Sequence, residues 1–338
     1  MGLSRSGTPD GGSAHHLPQN DITDWRTMGK PALRVHGVIP PIVTPLDADQ
    51  EVDVPSLRRL VDFVIDAGVH VVFALGTGGE GPYLTPARRD QVLDVVTEAV
   101  GGRVPVLAGA SDIGTARAVD NARAAERAGA DGIVLTPPFY GEVTQAEIDR
   151  HFRQVADAVS VPLVAYDIPS KVHSKLAWQT TLKLAEDGVI VAVKDTSGEE
   201  ISFRRLIDET SGIDGFSVIT GSDITCDGAL LQGAAGMIVG MGNVDPHGFV
   251  RLYAAASEGR WADARAEQDR LARLRYITQV AGDRISGFSA TISSFKAALV
   301  ARGVIGGDTT CDPLLPLNDA ERAEVERILA AADLHKIG

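Results

Sequence analysis

The chain is poor in the features that mark many protein classes. It has two cysteines in 338 residues, Cys226 and Cys311. Neither stands at a metal-ligand spacing, and two cysteines are too few for a disulfide framework, so a reducing, cytoplasmic setting is expected. No apolar stretch approaches the roughly 18 to 20 uncharged residues of a membrane span. The N-terminus lacks the apolar core of a secretory signal. Basic residues are the minority: 32 Lys and Arg against 45 Asp and Glu give a net charge of -13. A nucleic-acid groove needs a concentrated basic face, so that partner is not expected. A locally positive pocket for an anionic substrate remains open. No Gly-Lys-Ser/Thr ends a glycine loop, no Gly-x-Ser-x-Gly elbow occurs, and no His, Asp and Glu cluster has metal spacing. Neither metal nor cofactor is expected.

What the chain does have is alternation. Hydrophobic residues make up 44% of it, enough for a sizeable core. Residues 1–34 are rich in Gly, Ser, Pro, Asp and His without periodicity, and read as a disordered or loosely attached tail. Beyond Gly37, short apolar runs occur at 38–43, 70–75, 104–108, 132–136, 163–166, 189–194, 217–220 and 236–239. Amphipathic stretches at 55–67, 86–100, 115–128, 145–159 and 202–209 separate them. Thr85 before Pro86, and Thr144 before Gln145, are helix-start signals. Gly68, Gly129 and Gly188 sit where helix ends need a left-handed residue. Strands alternating with such helices imply parallel βαβ units. Eight in succession predict a (β/α)8 TIM barrel over 35–260, in the α/β class. A doubly wound open sheet is the alternative, weakened because no Gly-x-Gly-x-x-Gly follows the first strand. Helical spacing at 261–280, 289–302 and 318–331 predicts a C-terminal helical extension over 261–338, packed on the barrel or on a neighbour.

In a barrel of this kind, catalytic groups come from strand C-termini and the loops after them. Lys194 closes the apolar run 189–194. Desolvation disfavours a charged ammonium at such a position, which would make a neutral amine accessible. A neutral amine can attack a ketone and form a Schiff base. A strand-end lysine reaching solvent or pairing with Asp195 is the competing reading. Tyr166 closes the fifth run and is either a proton shuttle or an aromatic with a satisfied hydroxyl. Gly76-Thr77-Gly78-Gly79-Glu80-Gly81 follows the second run. It is either a tight turn or a nest of N–H groups for a carboxylate or phosphate. Glu80 fits a structural role, holding loop N–H groups. His173 is a substrate contact or a surface residue.

These pieces resemble the dihydrodipicolinate synthase / N-acetylneuraminate lyase family of pyruvate-type class I aldolases. Matching segments run in family order: Pro41-Ile42-Val43-Thr44-Pro45, Gly76-Thr77-Gly78-Gly79-Glu80, Thr136-Pro137-Pro138-Phe139-Tyr140, Tyr166-Asp167-Ile168-Pro169-Ser170 and Val193-Lys194-Asp195-Thr196-Ser197-Gly198. Gly221-Ser222-Asp223, Gly236-Met237-Ile238 and Lys296-Ala297-Ala298-Leu299 follow. The resemblance covers about 36–330. It implies an imine at Lys194 with a 2-oxo acid such as pyruvate, and proton relay by Tyr166. It implies that Thr77 links Tyr166 to Tyr140, a tyrosine the family often borrows from a neighbouring subunit. The N–H groups of Thr77 and Gly78 would hold the 2-oxo carboxylate, and the Ile238 carbonyl would touch the bound keto acid. An aldehyde is the implied second partner and a homotetramer the implied assembly.

The sequence also departs from the family's synthases. Gly78 stands where they usually carry a second threonine. Lys171-Val172-His173 replaces an Arg-Thr-Gly whose arginine receives the second substrate's carboxylate, and lysine lacks the bidentate fork. Pro86 and Arg89 stand where histidines would bind feedback lysine. Aldol cleavage or condensation on another 2-oxo acid is therefore the expected reaction. A 4-hydroxy-tetrahydrodipicolinate synthase and a 2-keto-3-deoxy sugar acid dehydratase are the alternatives within the family. A non-catalytic 2-oxo acid binding protein, and a phosphate-binding barrel using Gly240-Met241-Gly242, are the alternatives outside that chemistry. Lys171, Val172, His173, Ser197 and Asn243 are the candidate specificity residues.

Overall fold

A computed structural model describes residues 33–337. The expected tail at 1–34 lies almost wholly outside the described residues. A strand overlaps each of the eight apolar runs, the first by Val38 alone: β1 (Gly37–Val38), β2 (Val72–Ala74), β3 (Val106–Gly109), β4 (Gly132–Leu135), β5 (Leu163–Asp167), β6 (Ile190–Asp195), β7 (Ser217–Thr220) and β8 (Gly236–Met237). All pair in parallel, in the order β1-β8-β7-β6-β5-β4-β3-β2. The seam between β1 and β2 is made just beyond β1. The N–H of His70 donates to Val38 O (2.9 Å), that of Phe73 to Pro40 O (3.1 Å) and that of Ile42 to Phe73 O (2.9 Å). Pro40 and Pro41 offer no N–H, which is why regular pairing stops so early there. Closure leaves no exposed sheet edge.

Both faces of the sheet are buried, as in parallel sheets generally. Phe73, Leu107, Val134, Val164, Ala192, Ile219 and Ile238 fill the barrel interior. Val72, Ile133, Leu163, Ile190, Val193 and Met237 face the outer helices. On β6 this alternation depends on an irregularity. Leu163 pairs with Ile190 while Val164 pairs with Ala192, so Val191 is an extra residue. A one-residue insertion flips every later side chain to the other face. It is this shift that turns Ala192, and with it Lys194, toward the interior.

The outer layer is α1 (Val54–Asp66), α2 (Pro86–Val100), α3 (Thr115–Arg127), α4 (Gln145–Ala156), the short α5 (Pro169–Val172), α6 (Trp178–Glu186), α7 (Glu200–Thr210), α8 (Cys226–Gln232) and α9 (Pro246–Ser257). The expected starts are real caps. Thr85 accepts from the N–H of Arg88, and Thr144 and Glu147 form a reciprocal capping box. Gly68, Gly129 and Gly188 all have positive φ, at 90°, 92° and 69°. Beyond the barrel follow α10 (Trp261–Leu274), α11 (Gly287–Ala301) and α12 (Asp319–Ala331). Leu271, Ala298, Leu299, Val325 and Leu329 of these helices belong to the same apolar cluster as the barrel's outer face. Among the described residues no helix is long and apolar enough to cross a membrane.

Candidate active site

Three strand ends converge on one rim. β2 runs into the loop at 75–81, where Leu75 (φ 58°) and Glu80 (φ 55°) are left-handed. The loop folds on itself: Gly79 and Gly81 N–H donate to Gly76 O, at 3.1 and 3.3 Å, and Glu80 N–H to Thr77 O at 3.2 Å. Among the described residues the N–H groups of Thr77 and Gly78 have no protein acceptor. The loop is too tight for side chains in places. A Cβ on Gly81 would sit 2.2 Å from Leu75 O.

β5 and β6 supply the pair expected to react. Tyr166 and Lys194 are direct cross-strand partners. Lys194 Nζ lies 4.0 Å from the centre of the Tyr166 ring and 5.9 Å from that of Phe73. Tyr166 is 4% and Lys194 5% exposed. Thr77 Oγ1 stands 3.5 Å from the Tyr166 hydroxyl, at the long limit of a hydrogen bond. Lys194, Tyr166, Thr77 and Gly78 are therefore brought to one place. Ile238, at the end of β8, lines the same interior, its N–H donating to Thr220 O at 2.8 Å.

Behind the pair, alternation turns Asp167 and Asp195 away from the interior. Lys175 forms an ion pair with Asp167 and lies 4.0 Å from Asp195. Burial outweighs the lysine and pushes the Asp167 carboxyl up to about 6. A groove of about 820 Å³ opens beside this rim, lined in part by Thr196, Ser222, Asp223 and Arg275, without Lys194 or Tyr166.

Other expected site residues fall elsewhere. Tyr140 is 92% exposed and does not reach this chain's own site, whereas Phe139 packs on the interior cluster. Lys171 and His173 are exposed on α5 and its C-cap. Lys171 Nζ stands 4.6 Å over the ring of Phe288, which the sequence did not single out. Asn243, expected as a substrate contact, is held by the protein itself. It is wholly buried, its Oδ1 accepting from Val43 N–H and its Nδ2 donating to Pro41 O and Gly240 O, all at 2.9 Å. Its amide ties the turn after β8 to the segment after β1, with both of its polar atoms engaged. Ser197 caps a turn, its N–H on Asp195 Oδ1 at 2.7 Å. Arg89 is also structural, holding Gly81 O at 2.8 Å and Gly109 O at 2.7 Å. Gly221 is a residue whose role only the structure reveals: a Cβ there would meet Thr196 Oγ1 at 2.0 Å and Lys194 Cε at 2.9 Å.

Residues 34–332 match the dihydrodipicolinate synthetase family. The chain belongs to that family. It is 38% identical over 298 residues to an uncharacterized DapA-like lyase of Halobacterium salinarum, covering 88% of this chain and 94% of that one. It is 32% identical over 302 residues to the 4-hydroxy-tetrahydrodipicolinate synthase of Porphyromonas gingivalis, covering 89% and 98%. Among solved structures it is similar to YagE, a dihydrodipicolinic acid synthase family protein of E. coli K12 in complex with pyruvate. There the TM-score is 0.82 at 30% identity, covering 88% of this chain and 99% of that one. Lyase is the enzyme class of this dihydrodipicolinate synthetase family member.

Proposed function

We propose that this family member is a Schiff-base-forming aldolase that acts on pyruvate or another 2-oxo acid. The Lys194 amine adds to the ketone carbon, and loss of water leaves a protonated imine. That cation is an electron sink, so the adjacent carbon can lose a proton, or break a C–C bond, as an enamine. The enamine carbon adds to an aldehyde in the condensing direction, and water then returns Lys194. Tyr166 moves the protons at the imine, with Thr77 bonding its hydroxyl. The free N–H groups of Thr77 and Gly78 hold the carboxylate, as a backbone nest does. The observation that carries this reading is the buried amine of Lys194 standing 4.0 Å from the Tyr166 ring.

Tyr140 fits a role in trans. An exposed tyrosine at φ 93° on the loop after β4 is available to a neighbouring subunit's Thr77 in a homotetramer. Lys171 and His173 are assigned to the second partner, an aldehyde, where a single ammonium recognises an anionic group less specifically than an arginine fork. The synthase name of the Porphyromonas relative favours a second reading, condensation of pyruvate with that enzyme's own partner. Replacement of Arg-Thr-Gly by Lys171-Val172-His173 argues against it.

The test is intact-protein mass after pyruvate and borohydride, on wild type and on Lys194→Ala. A reduced pyruvyl adduct on wild type alone is the expected result. No adduct on either folded protein would remove pyruvate as the nucleophile and send the search to longer 2-oxo acids or to a binding protein.

A further inference from the structure

The glycine loop is held from outside the barrel. Glu80 and Lys296 are both completely buried, and Glu80 Oε2 lies 2.5 Å from Lys296 Nζ. Lys296 comes from α11, in the C-terminal extension, and also donates to Thr309 O at 2.7 Å. Glu80 Oε1 accepts from the N–H of Cys311 at 2.7 Å. One carboxylate on the strand-2 loop is thus bound to two separate parts of the C-terminal extension. Thr44 holds the same loop from the other side, its Oγ1 donating to Gly79 O at 2.7 Å.

Such a pair is not explained by stability. Desolvating two charges costs about as much as their attraction returns, and apolar residues of similar volume often do as well. What a paired, hydrogen-bonded charge does supply is one defined geometry. Here that geometry is passed on directly, because the N–H of left-handed Glu80 donates to Thr77 O. Thr77 and Gly78 are the residues whose N–H groups remain free.

We infer that Glu80 and Lys296 are positioning residues, which aim the Thr77 and Gly78 N–H groups and so set the affinity for the substrate carboxylate. The inference rests on the carboxylate role proposed above. Neither side chain touches substrate. On this account α11 and the segment at 309–311 are part of the binding apparatus and not only a cover for the barrel.

The experiment is borohydride trapping at graded pyruvate concentrations, read as a half-saturating concentration and a plateau rate. The variants are E80Q combined with K296M, which removes both charges together, and E80D, which keeps the pair but shortens its arm by one methylene. L329A, a core change on α12 away from the loop, is the control for lost stability. Both pair variants are expected to raise half-saturation about 10- to 100-fold, the range of losing well-aimed bonds to a charged group, with plateau rates within about 3-fold. L329A should melt at a lower temperature and keep wild-type half-saturation. If the double variant does not fold, E80D alone decides. Folded variants with wild-type half-saturation would overturn the inference and leave the functional reading intact. No adduct on the wild type with pyruvate or with any longer 2-oxo acid would sink both together.

Discussion

Tyr166 and Lys194 face each other from the last inward positions of neighbouring strands, amine over ring at 4.0 Å. The ring packs and the hydroxyl is the group proposed to move protons, so the two roles can be separated. Tyr166→Phe keeps the apolar contact and deletes the O–H. It should remain folded, with a melting temperature near that of wild type. Borohydride should still trap an imine, while steady-state turnover falls about 10²- to 10⁴-fold, the usual worth of a positioned proton donor or acceptor. Turnover within 2-fold of wild type would assign proton transfer to another group.

Gly221 gives Lys194 its room. Gly221→Ala would place a Cβ 2.0 Å from Thr196 Oγ1 and 2.9 Å from Lys194 Cε. Overpacking of this kind costs about 1–3 kcal/mol. Urea unfolding should show that loss, and the rate of imine formation should fall by more than 10-fold because the amine is displaced. A destabilised protein with an unchanged imine rate would show that Thr196 alone absorbs the clash.

The two kinds of residue just described were not equally legible in the sequence. The eight strands could be read because each is a short apolar run between turn residues, a local pattern. Lys194 and Tyr166 could be read because they end such runs. The need for glycine at 221 could not, since it comes from the close approach of Thr196 and Lys194 on another strand. The partners of Asn243 are hidden from the sequence for the same reason: Pro41 and Val43 lie about two hundred residues away, and nothing local distinguishes an amide that binds substrate from one that joins two loops. Glu80 was read as holding its own loop. Its partners instead lie at 296 and 311, brought to it by the folding of the C-terminal extension.

The placement of Asn243 yields a direct test. Asn243→Ala would leave Val43 N–H and Pro41 O without their amide partner. The expected cost is about 2–4 kcal/mol, the sum of unmade bonds partly relieved by relaxation. Urea unfolding should register it, whereas the ratio of rates across a panel of aldehydes should stay as in wild type. A changed ratio with unchanged stability would return Asn243 to the substrate pocket.

The opposite end of the barrel makes stability depend on pH. His70 Nδ1 accepts from Val38 N–H at 3.1 Å, and its ring stands edge-on to His36 and Tyr253. Burial, helped by the charge of His36, brings its imidazole down from 6.5 to about 4. Burial does the same to His151, also to about 4, beside Thr115 Oγ1 at 2.9 Å. Both rings fold neutral, while in the unfolded chain they take protons near 6.5. The unfolded state then binds more protons across this window, so stability is fully present above about pH 6.5 and is lost as pH falls toward 4. A depression of this size corresponds to roughly 3–3.5 kcal/mol at most for each ring. Urea midpoints measured from pH 7.5 to 4.5 should therefore fall, the two rings outweighing Asp167, whose carboxyl, raised to about 6, works in the opposite direction. His70→Asn keeps an acceptor where Nδ1 lies and cannot titrate. It should flatten the fall by about one proton's worth, and leave the remainder to His151 and the carboxylates. An unchanged slope would mean that His70 is already free to take a proton in the folded barrel, its bond to Val38 broken without cost.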